Sequence, residues 1–371
     1  MSFRVIRADS RKLPLASESV DLIITSPPYH GLRGYEEDGK QYQGQVGAEA
    51  TLDEFSEALW AITAECWRVL KPTGSLFVNL GDRYDKHGQK TANGSGRGSV
   101  RTKSLTGAPW RYALGCIDDN GRAGGQWISR AEIIWHRTNA VPESATDRVM
   151  RRHEQIFHLT KHERYYASTD ALRDVRGDGT LGSLPGSIWN IPSQALRDVP
   201  EHLPHHTATF PTELVRRIVL GWSPAGICRA CGEPWRVETT RVFTGQHNVA
   251  QARRQKQRSG ARAGGATSTL GRTNQIARGV SGYACTCGPV PVGTAHARAV
   301  VLDPFGGSGT TALVAHALGR RGISIDLSED YCNVARWRLQ DKNAIQTIRE
   351  KGTELGDAGP LPVRMAFPAN A

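Results

Sequence analysis

Residues 299–326 read AVVLDPFGGSGTTALVAHALGRRGISID, and this stretch decides the fold. The β-branched run at 300–302 predicts a buried parallel strand, which closes at Asp303. Proline and glycines then favour a turn, after which 310–318 predicts a helix and 322–326 predicts a second strand. Strand, glycine loop, helix and strand make one βαβ unit, so we expect an α/β protein with a parallel sheet.

The glycine loop carries a nucleotide-binding signal. Glycines let a backbone approach a ligand closely, and an acid at the end of the second strand can accept hydrogen bonds from ribose hydroxyls. Asp303 and Asp326 lie 23 positions apart, near the roughly 20 expected for one such unit. No Gly-Lys-Ser/Thr follows, so a triphosphate-binding loop is not indicated. The alternative is a tight strand-to-helix turn that binds nothing.

Composition limits the class of protein. A length of 371 residues permits a large core in one or two domains, and the net charge of +11 favours an acidic partner, nucleic acid above all. We expect a cytoplasmic protein, because the first residues lack an apolar signal core and no apolar run reaches the roughly 20 residues of a membrane span. Its seven cysteines should then be reduced, which favours metal binding where they cluster.

A second predicted strand leads into a stiff polar turn. Residues 20–25 (VDLIIT) predict a buried strand, and it is followed directly by Ser26, Pro27, Pro28 and Tyr29. Two prolines bar a helix, so these groups should be presented at the carboxyl edge of the sheet, where open α/β sheets bind their ligands.

Other segments predict the remaining elements. Thr51 and Glu54 fit a capping box at the start of a helix. Further strands are predicted at 3–8, 75–80, 132–136 and 155–160, and further helices at 212–220 and 328–340.

Two cysteine pairs bracket an insertion. Cys228 and Cys231 have the spacing Cys-x-x-Cys, and Cys285 and Cys287 have the less usual Cys-x-Cys. Four thiolates suit tetrahedral zinc in a structural site, and four unrelated reduced thiols are the alternative. Between the pairs, 241–281 contains seven arginines, one lysine and no acids. We expect this basic segment to be disordered when free and to contact phosphates, the alternative being a solvated tether.

The two turns together resemble those of a known enzyme family. TSPPY at 25–29 and DPFGGSGTT at 303–311 are similar to the motifs of the amino-methylating DNA methyltransferases, which use S-adenosylmethionine to methylate cytosine N4 or adenine N6. Ser-Pro-Pro-Tyr precedes the cofactor motif, which resembles the permuted arrangement called the β class. The resemblance covers most of 1–340, and cysteine-bearing insertions occur in some bacterial and phage members.

This resemblance implies a Rossmann-like α/β methyltransferase sheet with helices on both faces, permuted motif order and a zinc-knuckle-like insertion. It places Asp9 near the cofactor adenine and 206–211 beside the methionine. The cofactor-binding residues that it implies are Asp9, Phe210, Asp303, Phe305, Gly307, Ser308, Gly309 and Asp326. The catalytic residues are Ser26, Pro27, Pro28 and Tyr29.

The expected domains combine this resemblance with composition, because the resemblance does not cover 82–126 or the basic segment. One catalytic domain is assigned to 1–227 together with 289–345, with a loop insertion at 82–126 and a candidate target-recognition segment at 165–205. The cysteine-bracketed basic insertion is 228–288, and 346–371 is an extended tail.

The expected chemistry concerns an exocyclic base amine, which is a poor nucleophile because its lone pair is delocalised into the ring. Ser26 Oγ and the Pro27 carbonyl can accept hydrogen bonds from the amine and localise that pair. Tyr29 can stack on a base swung out of double-stranded DNA. The sulfonium of the cofactor carries the methyl group, so the reaction needs no metal.

The substrate leaves alternatives open. Serine in this motif favours cytosine N4, whereas adenine enzymes more often carry aspartate there. Enzymes that methylate a protein glutamine or an RNA base usually carry Asn in place of Ser26, and a non-catalytic zinc-dependent DNA-binding protein is a third hypothesis. The target sequence, a restriction partner and the oligomeric state, with a dimer among the options, stay open.

Overall fold

The computed structural model describes residues 3–31, 36–37, 40–41, 45–85, 100–118, 121–173, 183–204, 210–246, 274–291 and 294–354 of the 371. The expected methionine-enclosing residues 206–209, the centre of the basic segment and most of the expected tail lie outside this set. Within it, no helix is long and apolar enough to cross a membrane.

The described residues form short and long strands and a set of helices. The strands are β1 (Phe3–Arg7), β2 (Val20–Thr25), β3 (Glu36–Glu37), β4 (Lys40–Gln41), β5 (Leu70–Leu80), β6 (Ile128–His136), β7 (His153–Thr160), β8 (Ile188–Asn190), β9 (Ile227–Cys228), β10 (Arg236–Gln246), β11 (Asn274–Cys285), β12 (Gly288–Pro289), β13 (His296–Ala297), β14 (Val300–Asp303) and β15 (Arg321–Asp326). The α-helices are α1 (Leu52–Val69), α2 (Ala108–Ile117), α3 (Thr212–Trp222), α4 (Thr310–Ala317), α5 (Glu329–Arg338) and α6 (Lys342–Glu354).

Eight of these strands make one sheet, in the order β1–β15–β14–β2–β5–β7–β6–β8. Neighbouring strands are parallel except at β7, which runs antiparallel to β5 and β6. Leu302 of β14 pairs with Ile23 of β2, although the two strands come from opposite ends of the chain. The expected α/β architecture with a largely parallel sheet is therefore confirmed.

Helices cover both faces of the sheet, as alternate residues of β5 show. Leu76 and Val78 belong to the cluster that contains α1 and α2, whereas Phe77 belongs to the cluster that contains α3 and α4. Because α1 follows β2 and α4 follows β14, these adjacent strands send their helices to opposite faces. Such a switch point opens a crevice at the carboxyl ends of the strands, where α/β proteins bind ligands.

The predicted helix caps are present. Thr51 Oγ1 accepts a hydrogen bond from Glu54 N at 3.1 Å, and the Glu54 carboxylate accepts one from Thr51 N at 3.0 Å. Ser328 Oγ accepts from Tyr331 N at 3.3 Å. Local sequence thus determines where α1 and α5 begin.

Three segments differ from the sequence-based expectation. The loop insertion 82–126 contains α2, which is stabilised by packing on α1, where Trp60 Nε1 donates to Tyr112 O at 3.0 Å. Helix α6 continues to Glu354 within the expected extended tail, because Ile348 is buried against α4. The flanks of the basic segment pair as the antiparallel hairpin β10–β11, and 247–273 lie outside the described residues.

Candidate active site

The ends of β2 and β14 are joined by side chains at the crevice. Asp303 Oδ1 accepts from Thr25 Oγ1 at 2.8 Å, and its Oδ2 accepts from Thr311 Oγ1 at 2.8 Å. Phe305 N donates to Oδ1 at 3.0 Å. Asp303 is only 1% exposed, and burial raises its pKa to about 6 despite these donors. These hydrogen bonds hold the glycine loop against β2, and the burial of Asp303 leaves little of its carboxylate open to a ligand.

The glycine loop turns tightly between β14 and α4. Gly307 and Gly309 have φ angles of +47° and +75°, in the left-handed region that favours glycine. Gly306 N donates to Ile325 O at 2.8 Å, and a side chain at Gly306 would collide with Ser324. The loop backbone therefore lies directly against β15.

Asp326 ends β15 beside this loop. Its Oδ2 accepts from Gly307 N at 2.8 Å and its Oδ1 accepts from Ser328 N at 2.9 Å. The residue is half-buried, and burial raises the pKa of its carboxyl group. Ser308, by contrast, is 3% exposed, and the buried Arg338 donates to its Oγ at 3.1 Å. Asp326 is thus the acid of this unit that is open to a ligand, while Ser308 is part of the interior.

The remaining expected cofactor residues flank these elements. Asp9 follows β1 and pairs with Arg11 at 2.6 Å, and this hydrogen bond holds the pKa of Asp9 below its ordinary value. The next residue, Ser10, donates to a carbonyl of the glycine loop. Phe305 packs against the α1–α2 cluster and Phe210 against the α3–α4 cluster. The two aromatic rings therefore belong to opposite faces of the sheet.

The Ser-Pro-Pro-Tyr turn (26–29) is held by two side chains from other strands. The Tyr29 hydroxyl donates to Glu154 Oε2 at 2.5 Å and accepts from Asn79 Nδ2 at 3.0 Å. Asn79 Nδ2 also lies 3.3 Å from Ser26 Oγ. Burial and the Glu154 carboxylate raise the pKa of Tyr29 well above its ordinary value. Tyr29 is therefore a neutral phenol whose ring is fixed at the hydroxyl end.

A small cavity lies beneath both turns. It is lined by Pro27 from one turn and by Phe305 from the other. Its remaining walls come from Thr25, Leu59, Ile62, Thr63, Cys66, Leu76, Val78, Tyr112 and Pro304. Pro27 is buried, whereas Pro28 is half-buried. The proline turn and the glycine loop thus share an apolar floor.

Asn79, Glu154 and Arg137 belong to this site although the sequence did not predict them. Asn79 and Glu154 are 4% and 8% exposed, and Arg137 NH1 lies 3.4 Å from Glu154 Oε1. Asn79 Oδ1 is buried and has no partner among the described residues, which is unusual for a buried acceptor. The available signal for Asn79 was that it is the one polar residue in the apolar run LFVNL at 76–80.

Asp82 fixes the chain that borders the site. It accepts hydrogen bonds from Thr106 Oγ1 and, at 3.1 Å, from Gly107 N. Arg151 NH1 lies 3.5 Å from its other carboxylate oxygen. Part of the expected loop insertion is thereby attached to the segment between β6 and β7, while 86–99 and 119–120 lie outside the described residues.

The four bracketing cysteines converge. The Sγ atoms of Cys228, Cys231, Cys285 and Cys287 all lie within 4.8 Å of one another. Tetrahedral zinc with bonds of about 2.3 Å needs sulfur atoms roughly 3.8 Å apart, so the donor set fits this ion. A hydrogen bond from Thr286 lowers the pKa of Cys231 to about 6, whereas the hydrogen bond with Cys231 raises the pKa of Cys287 to about 12 and the pKa of Cys285 is also raised. The four thiols therefore share protons, and a bound metal would have to displace them.

Comparison with known sequences agrees with this geometry. The family profile described as DNA methylase (N6_N4_Mtase) matches residues 20–227 and 294–336. The type II methyltransferase M.Cfr9I of Citrobacter freundii is 29% identical over 351 residues, which cover 91% of this chain and 86% of that protein. The type II methyltransferase M.SmaI of Serratia marcescens is 28% identical over 354 residues, which cover 91% of each chain.

Comparison with solved structures concerns the fold. The PvuII DNA methyltransferase, described as cytosine-N4-specific, superposes with a TM-score of 0.56 at 16% sequence identity. The match covers 96% of this chain and 93% of that chain. At this identity the likeness establishes a shared fold across nearly the whole length.

Proposed function

This chain belongs to the DNA methylase family, and we propose that it transfers the methyl group of S-adenosylmethionine to the exocyclic N4 of cytosine in double-stranded DNA. One observation carries the proposal. The proline turn, with Ser26 and Tyr29 held by Asn79, is tied through Thr25 and Asp303 to the glycine loop. An amine at one turn would therefore lie next to a nucleotide cofactor at the other.

The glycine loop suits the adenosyl part of the cofactor. Asp326 is half-buried at the end of β15, where a carboxylate accepts hydrogen bonds from ribose hydroxyls. Gly307 and Gly309 have no side chains that would keep a ligand away from the loop backbone. Asp9 follows β1, the strand next to β15 in the sheet. When bound, S-adenosylmethionine supplies an electrophilic methyl group on a sulfonium. We assign Phe210 and Phe305 to its apolar surroundings.

Oxygen acceptors at the ends of β2 and β5 suit a base amine. Ser26 Oγ accepts from Asn79 and keeps a second lone pair, and Asn79 Oδ1 is buried without a partner among the described residues. An amine that donates to such oxygens, or to the Pro27 carbonyl, is drawn toward tetrahedral geometry. Its nitrogen lone pair then leaves the ring system and could form the new bond to the methyl carbon as the bond between that carbon and the sulfonium sulfur breaks, so that a neutral thioether would leave. The proton leaves to water after the nitrogen has become cationic.

Tyr29 is assigned to the extruded base. Its hydroxyl is fixed by Glu154 and Asn79, so the ring is ordered before any base arrives. Arg137 lies beside Glu154 and offsets its charge. A pre-ordered aromatic ring loses little entropy when a base stacks on it, which favours capture of a base that has left the helix.

Cytosine is the base that Ser26 favours, because adenine enzymes with this motif more often carry aspartate there. The fold shared with a methyltransferase described as cytosine-N4-specific is in keeping with this choice. Adenine N6 is the alternative. The order of the two motifs, Ser-Pro-Pro-Tyr before the glycine loop, supports placing the chain in the permuted β class.

Zinc is proposed for the four cysteines of the insertion 228–288. Four thiolates leave no open coordination position, so the ion would be structural. Gly232 N donates to Cys228 O at 2.9 Å, and Gly232 has a φ angle of +74°, a geometry that suits a metal knuckle. The β10–β11 hairpin rises from this knuckle and carries the basic segment, to which we assign contacts with DNA phosphates.

Nucleoside chromatography tests the proposed reaction. Purified protein is incubated with S-adenosylmethionine and plasmid DNA from an unmethylated host, and the DNA is then digested to nucleosides. We expect N4-methylcytosine, and sequencing of the same DNA should locate it at one short recurring site. N6-methyladenine would establish the alternative base, and no methylated nucleoside under any ionic condition would refute the proposal.

A further inference from the structure

Two exposed valines stand on one loop beside the candidate active site. Among the large apolar side chains that the structure describes, Val149 and Val141 are the most exposed, at 87% and 84%. Both lie in the segment 137–152 between β6 and β7, which we call the β6–β7 loop. Single exposed valines are common. Two valines at this exposure on one short loop leave nearly all of their apolar surface in water, and a partner that covers them would remove that surface from water.

The β6–β7 loop is a folded structure. Arg137 N donates to Arg152 O at 2.7 Å at its base, and Glu143 N lies 3.3 Å from Met150 Sδ between its two arms. Arg148 NH2 lies 3.4 Å from a Glu143 carboxylate oxygen. These contacts bring the two arms together. Val141 lies two positions before Glu143, and Val149 lies between Arg148 and Met150, so each valine is close in sequence to a contact between the arms.

Neighbouring segments fix the direction of the loop. The Arg148 guanidinium lies over the ring of Tyr84, 3.8 Å from its centroid. Asn139 Nδ2 donates to Ser193 O at 3.0 Å, and Ser193 N donates to Asn139 Oδ1 at 2.7 Å. Contacts on two sides therefore hold the loop in one orientation, so we treat it as a rigid element that does not move as a hinge.

The first residue of the β6–β7 loop lies in the candidate site. The net positive charge of the loop suits a polyanion. Arg137 contacts Glu154, which accepts from the Tyr29 hydroxyl. Residues 137–152 contain four arginines and two acids. A net positive loop with apolar tips matches a DNA duplex, whose phosphates attract the arginines and whose base stack accepts apolar side chains.

We propose that Val141 and Val149 form a wedge that enters the DNA base stack at the gap left by the extruded target base. This inference rests on the proposed function, which requires a base to leave the helix. An extruded base leaves its neighbours unstacked on one face, and an apolar side chain inserted there replaces part of the lost contact. The wedge lowers the free energy of the open duplex while Tyr29 holds the base.

The test compares substrates that differ only in how easily the target base leaves the helix. Oligonucleotide duplexes carry the recurring methylated site, with the target base either paired or mismatched. The variants are Val141→Ser with Val149→Ser together, and Val141→Ile with Val149→Ile together as the conservative pair. Leu114→Ser is the matched control, because Leu114 is 54% exposed on α2.

We expect the serine double variant to lose at least roughly tenfold in single-turnover rate on the paired duplex and to recover most of it on the mismatched duplex, because a mismatched base is easier to extrude. The isoleucine pair and Leu114→Ser should match wild type on both duplexes. An unchanged rate on the paired duplex, an equal loss on both duplexes, or a loss that tracks a change in oligomeric state would each overturn the wedge. A wild-type protein inactive on both duplexes would instead refute the proposed function itself.

Discussion

Thr25 Oγ1 donates a hydrogen bond to Asp303 Oδ1 over 2.8 Å, and this contact joins the last residue of β2 to the last residue of β14. Thr311 at the start of α4 donates to the other carboxylate oxygen. Asp303 thus connects the proline turn, the glycine loop and the helix that follows it. Because Asp303 is buried, a change there should alter stability as well as binding.

Stability should depend on the ionisation of Asp303. Its pKa in the folded protein is raised to about 6 by burial, against an ordinary value of 3.8. As pH falls from about 6 to 4, the folded state takes up this proton before the unfolded state does, so the free energy of unfolding rises. Relative to Asp303→Asn, wild type should gain roughly 2 kcal/mol over this range.

Denaturant unfolding of both proteins at pH 4, 5, 6 and 7 measures this difference. The comparison isolates Asp303, because other carboxyl groups titrate in both proteins. A difference in unfolding free energy that stays constant from pH 7 to 4 would contradict the raised pKa.

Asp326→Ala should weaken binding of S-adenosylhomocysteine. The variant removes the half-buried carboxylate proposed to accept from the ribose, and losing hydrogen bonds to a charged group costs roughly 1.5–3 kcal/mol. Calorimetric titration should therefore show a Kd raised by about tenfold to a hundredfold. Asp330→Ala, which removes an acid from the first turn of α5, is the control. Equal affinity in Asp326→Ala and wild type would exclude the ribose contact.

Ser26→Ala should lower the rate of methyl transfer more than it lowers binding. The hydroxyl acts as an acceptor mainly when the amine becomes tetrahedral, so its loss raises the barrier by roughly 1.5–3 kcal/mol, or about tenfold to a hundredfold in rate. Ser19→Ala at the opposite end of β2 is the matched control and should leave the rate unchanged. Single-turnover methylation alongside cofactor titration separates the two effects. A wild-type rate in Ser26→Ala would show that this oxygen is not the acceptor.

One zinc per chain should be found in protein purified without added metal. Cys231→Ser and Cys285→Ser each remove one of four converging ligands and should reduce the stoichiometry strongly. Cys332→Ser is the control, because this thiol is buried in α5 away from the cluster. Elemental analysis of the folded fraction gives the ratio. A ratio near zero in wild type would mean that the four thiols are not a zinc site.

The basic segment should contribute to DNA binding through charge alone. Residues 247–273 contain five arginines and one lysine, and replacing all six cations with glutamine keeps the length of the chain. Released counterions set the salt dependence, so the slope of log affinity against log salt should become shallower by as much as about 5. Affinity should fall similarly for all DNA sequences. An identical slope in the variant would show that this segment is only a tether.

Local sequence determined the elements that depend on neighbouring residues. The capping box of Thr51 and Glu54 marked the start of α1, and the run 299–326 determined one βαβ unit with its glycine loop. The two motifs and their order also pointed to the DNA methylase family. Each of these signals lies within one short window, where backbone propensity, capping and turn chemistry act directly.

Tertiary structure decided which distant residues meet. Asn79 and Glu154 lie 75 positions apart, and only the antiparallel pairing of β5 with β7 brings them together at Tyr29. Strand pairing likewise sets Thr25 beside Asp303, and the burial of Asp303 between these strands could not be read from its position in the motif. The register of long-range strand pairs depends on how the whole core packs, so no local window of sequence contains it.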